Sequence, residues 1–300
     1  MKINRFTLGI VPCAAFVLAF TAQAQNAVSY VSTTGNDSNT CTSSAHCRTM
    51  AKALTVTNSG GEVVVVDSGS YGNGSVLTIS QPVTISAVGV DASISITTSG
   101  VNAITVNTTG KVNLNGLTLR GHAAGNDGIQ VTQVGTLHLN NTTIDDFTVD
   151  GINFESAGND LVMYNSQSNN NGHDGLRVNA AGAHAYVEGS AFDSNAFAGG
   201  DSVDGKLTIS DSNAHFNEIG FYSHGGSVTL YNARSIFNKT GLEVSAGGHM
   251  HFANCLVSDN TAAWNVAAGG VLSGSDPGTT LIAPGQTPNT GARSVPTTLD

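Results

Sequence analysis

Asp-Gly followed by an alternating apolar run occurs at Asp127 (DGIQV), Asp150 (DGINF) and Asp174 (DGLRV), at spacings of 23 and 24 residues. No other feature constrains the fold as much, because a return at that interval is the mark of a stacked repeat. A second alternating run accompanies it: LHLNN (137–141), LVMYN (161–165), AYVEG (185–189), LTISD (207–211), VTLYN (228–232) and MHFAN (250–254). Their starts lie 24, 24, 22, 21 and 22 residues apart, and VNLNG (112–116) is an earlier member. Alternation places every second residue on one face of a strand. Leu139, Met163, Val187, Ile209, Leu230 and Phe252 therefore share a side. In the first run the pairs Ile129/Val131, Ile152/Phe154, Leu176/Val178 and Leu242/Val244 do the same.

Two further columns follow from the alignment. A small residue stands after each turn: Thr142, Ser166, Ser190, Ser212, Ala233, Cys255. Five residues beyond it comes asparagine: Asn171, Asn195, Asn217, Asn238, Asn260. Strands of about five residues in a period this short cannot close hairpins and keep the register, but they can form one coil of a solenoid stacked at about 4.8 Å. Equivalent positions then lie above one another. Apolar columns fill the interior, and an asparagine column hydrogen-bonds along the axis at a bend. The leucine-rich pattern LxxLxLxxN is absent, and propeller blades need about 40 residues per unit.

These repeats, with YVSTTGNDSNTCTSSAHCRTMAKAL (30–54) leading into GGEVVVVDSGSYG (60–72), resemble right-handed parallel β-helix proteins of the pectin-lyase-like fold. The resemblance covers about residues 28–272, and is to a group of small exported bacterial β-helix-repeat proteins without a settled function. It implies an all-β, single-domain right-handed parallel β-helix solenoid with a short N-terminal capping helix, expected within 47–58. It is specific for fold and not for function.

The chain ends read differently from the repeats. Residues 1–24 carry Lys2 and Arg5, the apolar run FTLGIVPCAAFVLAF and a small-residue AQA site, the pattern of a secretory signal with Gln25 as the new N-terminus. Residues 25–273 are expected to form the β-helix with its cap, and 274–300 a Pro/Thr/Gly-rich tail. Export makes the product secreted, periplasmic or cell-surface, with no membrane span once the signal is removed. The expected state is a monomer. The formal charge of −10, with only 11 Lys and Arg, argues against nucleic acid as a partner. Cys41 and Cys47 flank TSSAH in a polar stretch of an exported chain and are expected to form a local disulfide, since CTSSAHC offers too few ligands for zinc.

The chemistry-bearing residues centre on the aspartates. Stacking brings the carboxylates of Asp127, Asp150 and Asp174 to about 5 Å, close enough to raise a pKa or recruit a cation, Ca²⁺ being the candidate. That spacing also matches the carboxyl pair of retaining glycosidases. Asp150 is the central carboxylate of a candidate catalytic set, with Asp174, Asp127 and the cation Arg177. His173 adjoins the third aspartate as a substrate-binding candidate. The plainer reading is turn chemistry, with Asp bonding its own backbone and Gly at positive φ. Asp201 and Asp204, in GGDSVDG, read as a weaker calcium loop between coils. Tyr164 and Tyr186 point outward in adjacent coils as a candidate sugar-stacking platform. The resemblance implies what a polysaccharide lyase would need, a Ca²⁺-holding aspartate cluster with an Arg or Lys base. The Gly-His-Gly and Arg-x-Lys of the related hydrolases are missing. Two functions remain: an exported protein presenting an extended surface to extracellular polysaccharide or a cell surface without a clear catalytic site, or a lyase or glycoside hydrolase acting on acidic polysaccharide through the stacked aspartates.

Overall fold

The computed structural model describes residues 25–72, 74–274 and 280–282; the segment read as a secretory signal and most of the segment read as tail lie outside them. Short parallel strands wind into a β-helix with three walls. Sheet A has eleven strands, from Asn26–Val31 and Thr57–Val65 to Val271–Gly274. Sheet B has nine, from Leu77–Ile79 to Ala262–Val266. Sheet C is split into five strands ending at Gln167–Asn169 and four beginning at Asn213–His215, joined by isolated bridges through Ala191. Each coil runs from A to C to B. Thr136–Asn140 pairs residue for residue with Lys111–Asn115 below and Asp160–Tyr164 above, so a column in the sequence is a column in space.

The inward columns are the predicted ones. Leu139, Met163, Val187, Ile209, Leu230 and Phe252 are buried, as are Ile129, Val131, Ile152, Phe154, Leu176 and Val178. Between sheets A and C the chain turns on one left-handed residue: Gly116, Asn141, Asn165, Gly189, Asp211, Asn232 and Asn254 all have positive φ. Gly, Asn and Asp recur there because they tolerate that conformation best. The small column that follows forms a hydroxyl ladder: Ser166 Oγ accepts from Thr142 N–H at 3.0 Å, Ser190 Oγ from Ser166 N–H at 3.2 Å, and Ser212 Oγ from Ser190 N–H at 3.0 Å. At the bend from C to B, each asparagine Oδ1 accepts the N–H of the asparagine one coil earlier, from Asn171 on Asn195 (3.1 Å) to Asn238 on Asn260 (2.7 Å). These bonds satisfy backbone groups that the bend removes from the sheets.

The open end is closed by the helix Met50–Val56, narrower than the 47–58 expected, because Thr57 already begins the second strand of sheet A. Thr49 Oγ1 caps it by accepting from Lys52 N–H at 3.1 Å. Met50 and Ala53 face the interior, covering strand edges that would otherwise be unpaired. Cys41 and Cys47, joined by a disulfide, lie buried against this end. At the far end Thr280–Ile282 pairs with Leu256–Ser258, so sheet C runs into the segment read as tail.

The repeated glycine has a different cause from the one expected. Gly128, Gly151 and Gly175 are absent from the positive-φ set; what excludes a side chain is the coil above. A Cβ on Gly151 would stand 2.7 Å from Gly175 O, and one on Gly175 would stand 2.6 Å from Gly199 O. Gly199, Gly220 and Gly241 continue the column with the same clash. Asp-Gly recurs because one residue per coil must let the next coil's carbonyl approach.

Candidate functional site

The aspartates also act on the neighbouring coil and not on their own backbone. Asp127 Oδ1 accepts Asp150 N–H at 3.1 Å, Asp150 Oδ1 accepts Asp174 N–H at 3.0 Å, and Asp174 Oδ1 accepts Ala198 N–H at 3.0 Å. Asn102 begins this second ladder by accepting Asp127 N–H at 3.0 Å. One oxygen of each carboxylate is thereby structural. An amide serves that purpose at Asn102, so the ladder alone does not explain three acids. All three are 0–3% exposed. The Oδ2 atoms of Asp150 and Asp174 are buried without a hydrogen bond.

Asp201 is a fourth member. It lies not in a loop but in the strand Ala198–Ser202 of sheet B, 1% exposed, paired in register with Arg177 below and Tyr222 above. Sequence alternation hides this strand because Gly200 and Ser202 occupy the inward slots held by Leu176 and Val178 one coil earlier. Leu207, Ile209 and, one coil later, Phe221 fill the space beside Gly200. Asp201 Oδ1 and Arg177 Nε are both buried without hydrogen bonds. Asp204 is exposed and separate from the cluster.

His173 closes the cluster. Its Nδ1 lies 2.9 Å from Asp150 Oδ1 and 3.0 Å from Asp174 Oδ2. Nδ1 carries one hydrogen, bonded to Asp150; Asp174 Oδ2 is held by charge. The hydrogen bond to Asp150 and then the Asp174 carboxylate beside the same nitrogen raise the His173 pKa to about 10, against the opposing effect of burial, so the ring is an imidazolium at neutral pH. Burial pushes Asp127 up to about 6, with the Asp150 N–H opposing. Burial and then the Asp174 charge push Asp201 up to about 8, and burial raises Asp174 as well. Rings cover the column. Phe197 stacks on His173 at 4.9 Å, Tyr222 meets Phe197 edge-on at 5.9 Å, and His224 stacks on Tyr222 at 4.9 Å.

The predicted site residues are thus only partly brought together. Asp127, Asp150, Asp174, His173 and Arg177 converge at sheet B. Tyr164 and Tyr186 stand on sheet A, edge-to-face at 6.0 Å, on another wall and not as a flat platform. Asp150, His173 and Asp174 are the group among the described residues with metal-ligand spacing. That set offers two carboxylate oxygens and one ring nitrogen, too few oxygens for the six to eight that calcium takes. Catalysis by the carboxylates would need the ring cover to open, since substrate cannot touch groups this buried.

No family model and no curated protein matches the sequence. Solved structures do. Pectate lyase Pel9A superposes with a TM-score of 0.59 at 16% identity, over 91% of this chain and 80% of its own. The chain has the fold of that lyase. The A-module of Azotobacter vinelandii mannuronan C-5 epimerase AlgE4 gives 0.56 at 16% identity, over 73% and 82%. An alginate lyase from Paenibacillus sp. gives 0.55 at 16%, over 88% and 99%. At such identities the likeness is one of fold and transfers no residue roles.

Proposed function

We propose that this protein is exported and binds polysaccharide along the outer face of sheet B, where His173 and Arg177 surmount the carboxylate cluster. One observation supports this above the others. His173 is kept cationic by two buried carboxylates, its side chain is 38% exposed, and no described residue bonds its Nε2. A fixed imidazolium N–H at a partly exposed position, beside Arg177, suits the carboxylate or hydroxyl oxygens of a saccharide. Asn153 and Gln130 extend the same outward column of sheet B and add amide groups along the axis. The signal-like residues 1–24 support placement outside the cytoplasm.

Turnover is the second reading, favoured by the neighbours of this fold, which are a pectate lyase, an alginate lyase and an epimerase. Against it, a lyase-type reaction needs a free base, whereas His173, Asp201 and Tyr222 all have raised pKa values and hold their protons at neutral pH. Hydrolysis by a carboxyl pair would need Asp150 or Asp174 uncovered. The test is affinity electrophoresis on polygalacturonate, alginate and neutral glucan, with parallel assays for unsaturated uronates and reducing ends. Retardation on a polysaccharide gel, abolished by His173→Gln, is the expected result. Product formation lost in Asp150→Asn would establish turnover instead, and silence in every assay would overturn both.

A further inference from the structure

We propose that sheet A carries a second saccharide site, which takes a neutral pyranose unit between Asp160, His184 and Lys206 on one side and the ring of Tyr186 on the other. It lies on a different wall from the carboxylate cluster and does not depend on it. By register, Thr136, Asp160, His184 and Lys206 form one outward column, and His138, Val162, Tyr186 and Thr208 the next. Val162 is short between two ring-bearing neighbours, and Thr136 and Thr208 are short at either end. The result is a depression of about 310 Å³, at the lower end of the range of ligand sites. Leu161 and Ala185 line its floor, and because their side chains point inward they do so with main chain.

The walls suit a sugar in two ways. Tyr186 is held by its hydroxyl bond to Glu188 Oε2 at 2.8 Å and by its edge contact with Tyr164, so an exposed aromatic ring is fixed before any ligand arrives. Such a ring accepts the C–H face of a pyranose at little entropic cost. Opposite it, Asp160 Oδ1 and His184 Nδ1 are 3.8 Å apart, too far for a direct hydrogen bond, so each keeps bonding capacity for a hydroxyl. A carboxylate, an imidazole, an ammonium and two threonine hydroxyls around one apolar wall offer both donors and acceptors. Asp160 and Lys206 bring opposite charges to the same depression, so it carries no net charge to recruit a uronate and suits a neutral ring.

Isothermal titration calorimetry with cellohexaose, mannohexaose, laminarihexaose and chitohexaose tests this. At least one should bind saturably, and Tyr186→Ala and Asp160→Asn should each weaken it about tenfold or more. Tyr231→Ala, which removes an exposed tyrosine of the same sheet outside the depression, should leave it unchanged. All these side chains are exposed, and circular dichroism of each variant verifies the fold. No saturable binding of any of the four, or binding that survives Tyr186→Ala, would overturn the proposal. Neutral-sugar binding that is lost in His173→Gln and kept in Tyr186→Ala would place the site at sheet B and overturn it equally.

Discussion

Asp201→Asn should change how stability depends on pH. Asp201 is a buried acid in a strand, and burial with the adjacent Asp174 charge raises its pKa from 3.8 to about 8. Between those values the folded chain holds a proton that the unfolded chain has released. A raised pKa adds stability that is fully present below the unfolded value and is lost as pH rises through the folded one. At 1.36 kcal/mol per unit, a shift of about four units corresponds to a loss on the order of 5 kcal/mol between pH 4 and pH 8. The asparagine variant keeps the shape and lacks the ionisation, so its stability should not carry that slope. For a chain of this size, 1 kcal/mol moves Tm by about 2–4 °C. Thermal unfolding followed by circular dichroism from pH 5 to pH 9 should therefore show wild type losing roughly 10 °C more than Asp201→Asn. The comparison rests on the difference in slope, which a fixed offset from the new amide does not alter. Parallel curves for the two proteins would refute the reasoning and mean that Asp201 ionises freely in the fold.

His173 titrates in the other window. With its pKa raised from 6.5 to about 10, its contribution is complete below about pH 6.5 and fades as pH climbs toward 10; His173→Gln should lower Tm most at pH 6 and least at pH 10, and an NMR titration of the ring should find it protonated at pH 8. Gly175→Ala should lower Tm by more than 10 °C, because its Cβ meets Gly199 O at 2.6 Å, whereas Gly247→Ala, with open space and φ of +83°, should cost only about 1 kcal/mol. Thermal unfolding of the two variants separates these causes. Phe216 and Phe237 are 63% and 53% exposed in the left-handed slot that Asp146, Asn170, Ser194 and Asp259 fill in other coils. Replacing both by Asn should raise Tm by a few degrees despite the loss of their mutual stacking at 5.3 Å; a lower Tm would show that the ring stack outweighs the backbone strain.

The period of 21–25 residues determined the coil, the alternation determined which side chains are inside, and the Asn column determined its ladder, while the hydroxyl ladder of the small column emerged only in the structure. These are local or strictly repeating features, and a parallel stack converts sequence alignment directly into spatial neighbourhood. Asp127, Asp150 and Asp174 were legible as one column for the same reason. The tertiary structure decided the rest. It showed that Gly151 and Gly175 yield to a carbonyl of the next coil and not to a positive φ, a distinction that depends on inter-coil distance and leaves no mark on composition. It brought Asp201 into the cluster through a strand whose inward slots are Gly200 and Ser202, where hydrophobic period gives no signal because Leu207, Ile209 and Phe221 from other strands fill the core beside Gly200. It placed Tyr164 and Tyr186 on a different wall from His173, since residues in the same coil can face opposite sides of the solenoid. It also set His173 between two carboxylates that burial had stripped of water, and the charge state of that ring follows from this enclosure and not from its neighbours in sequence.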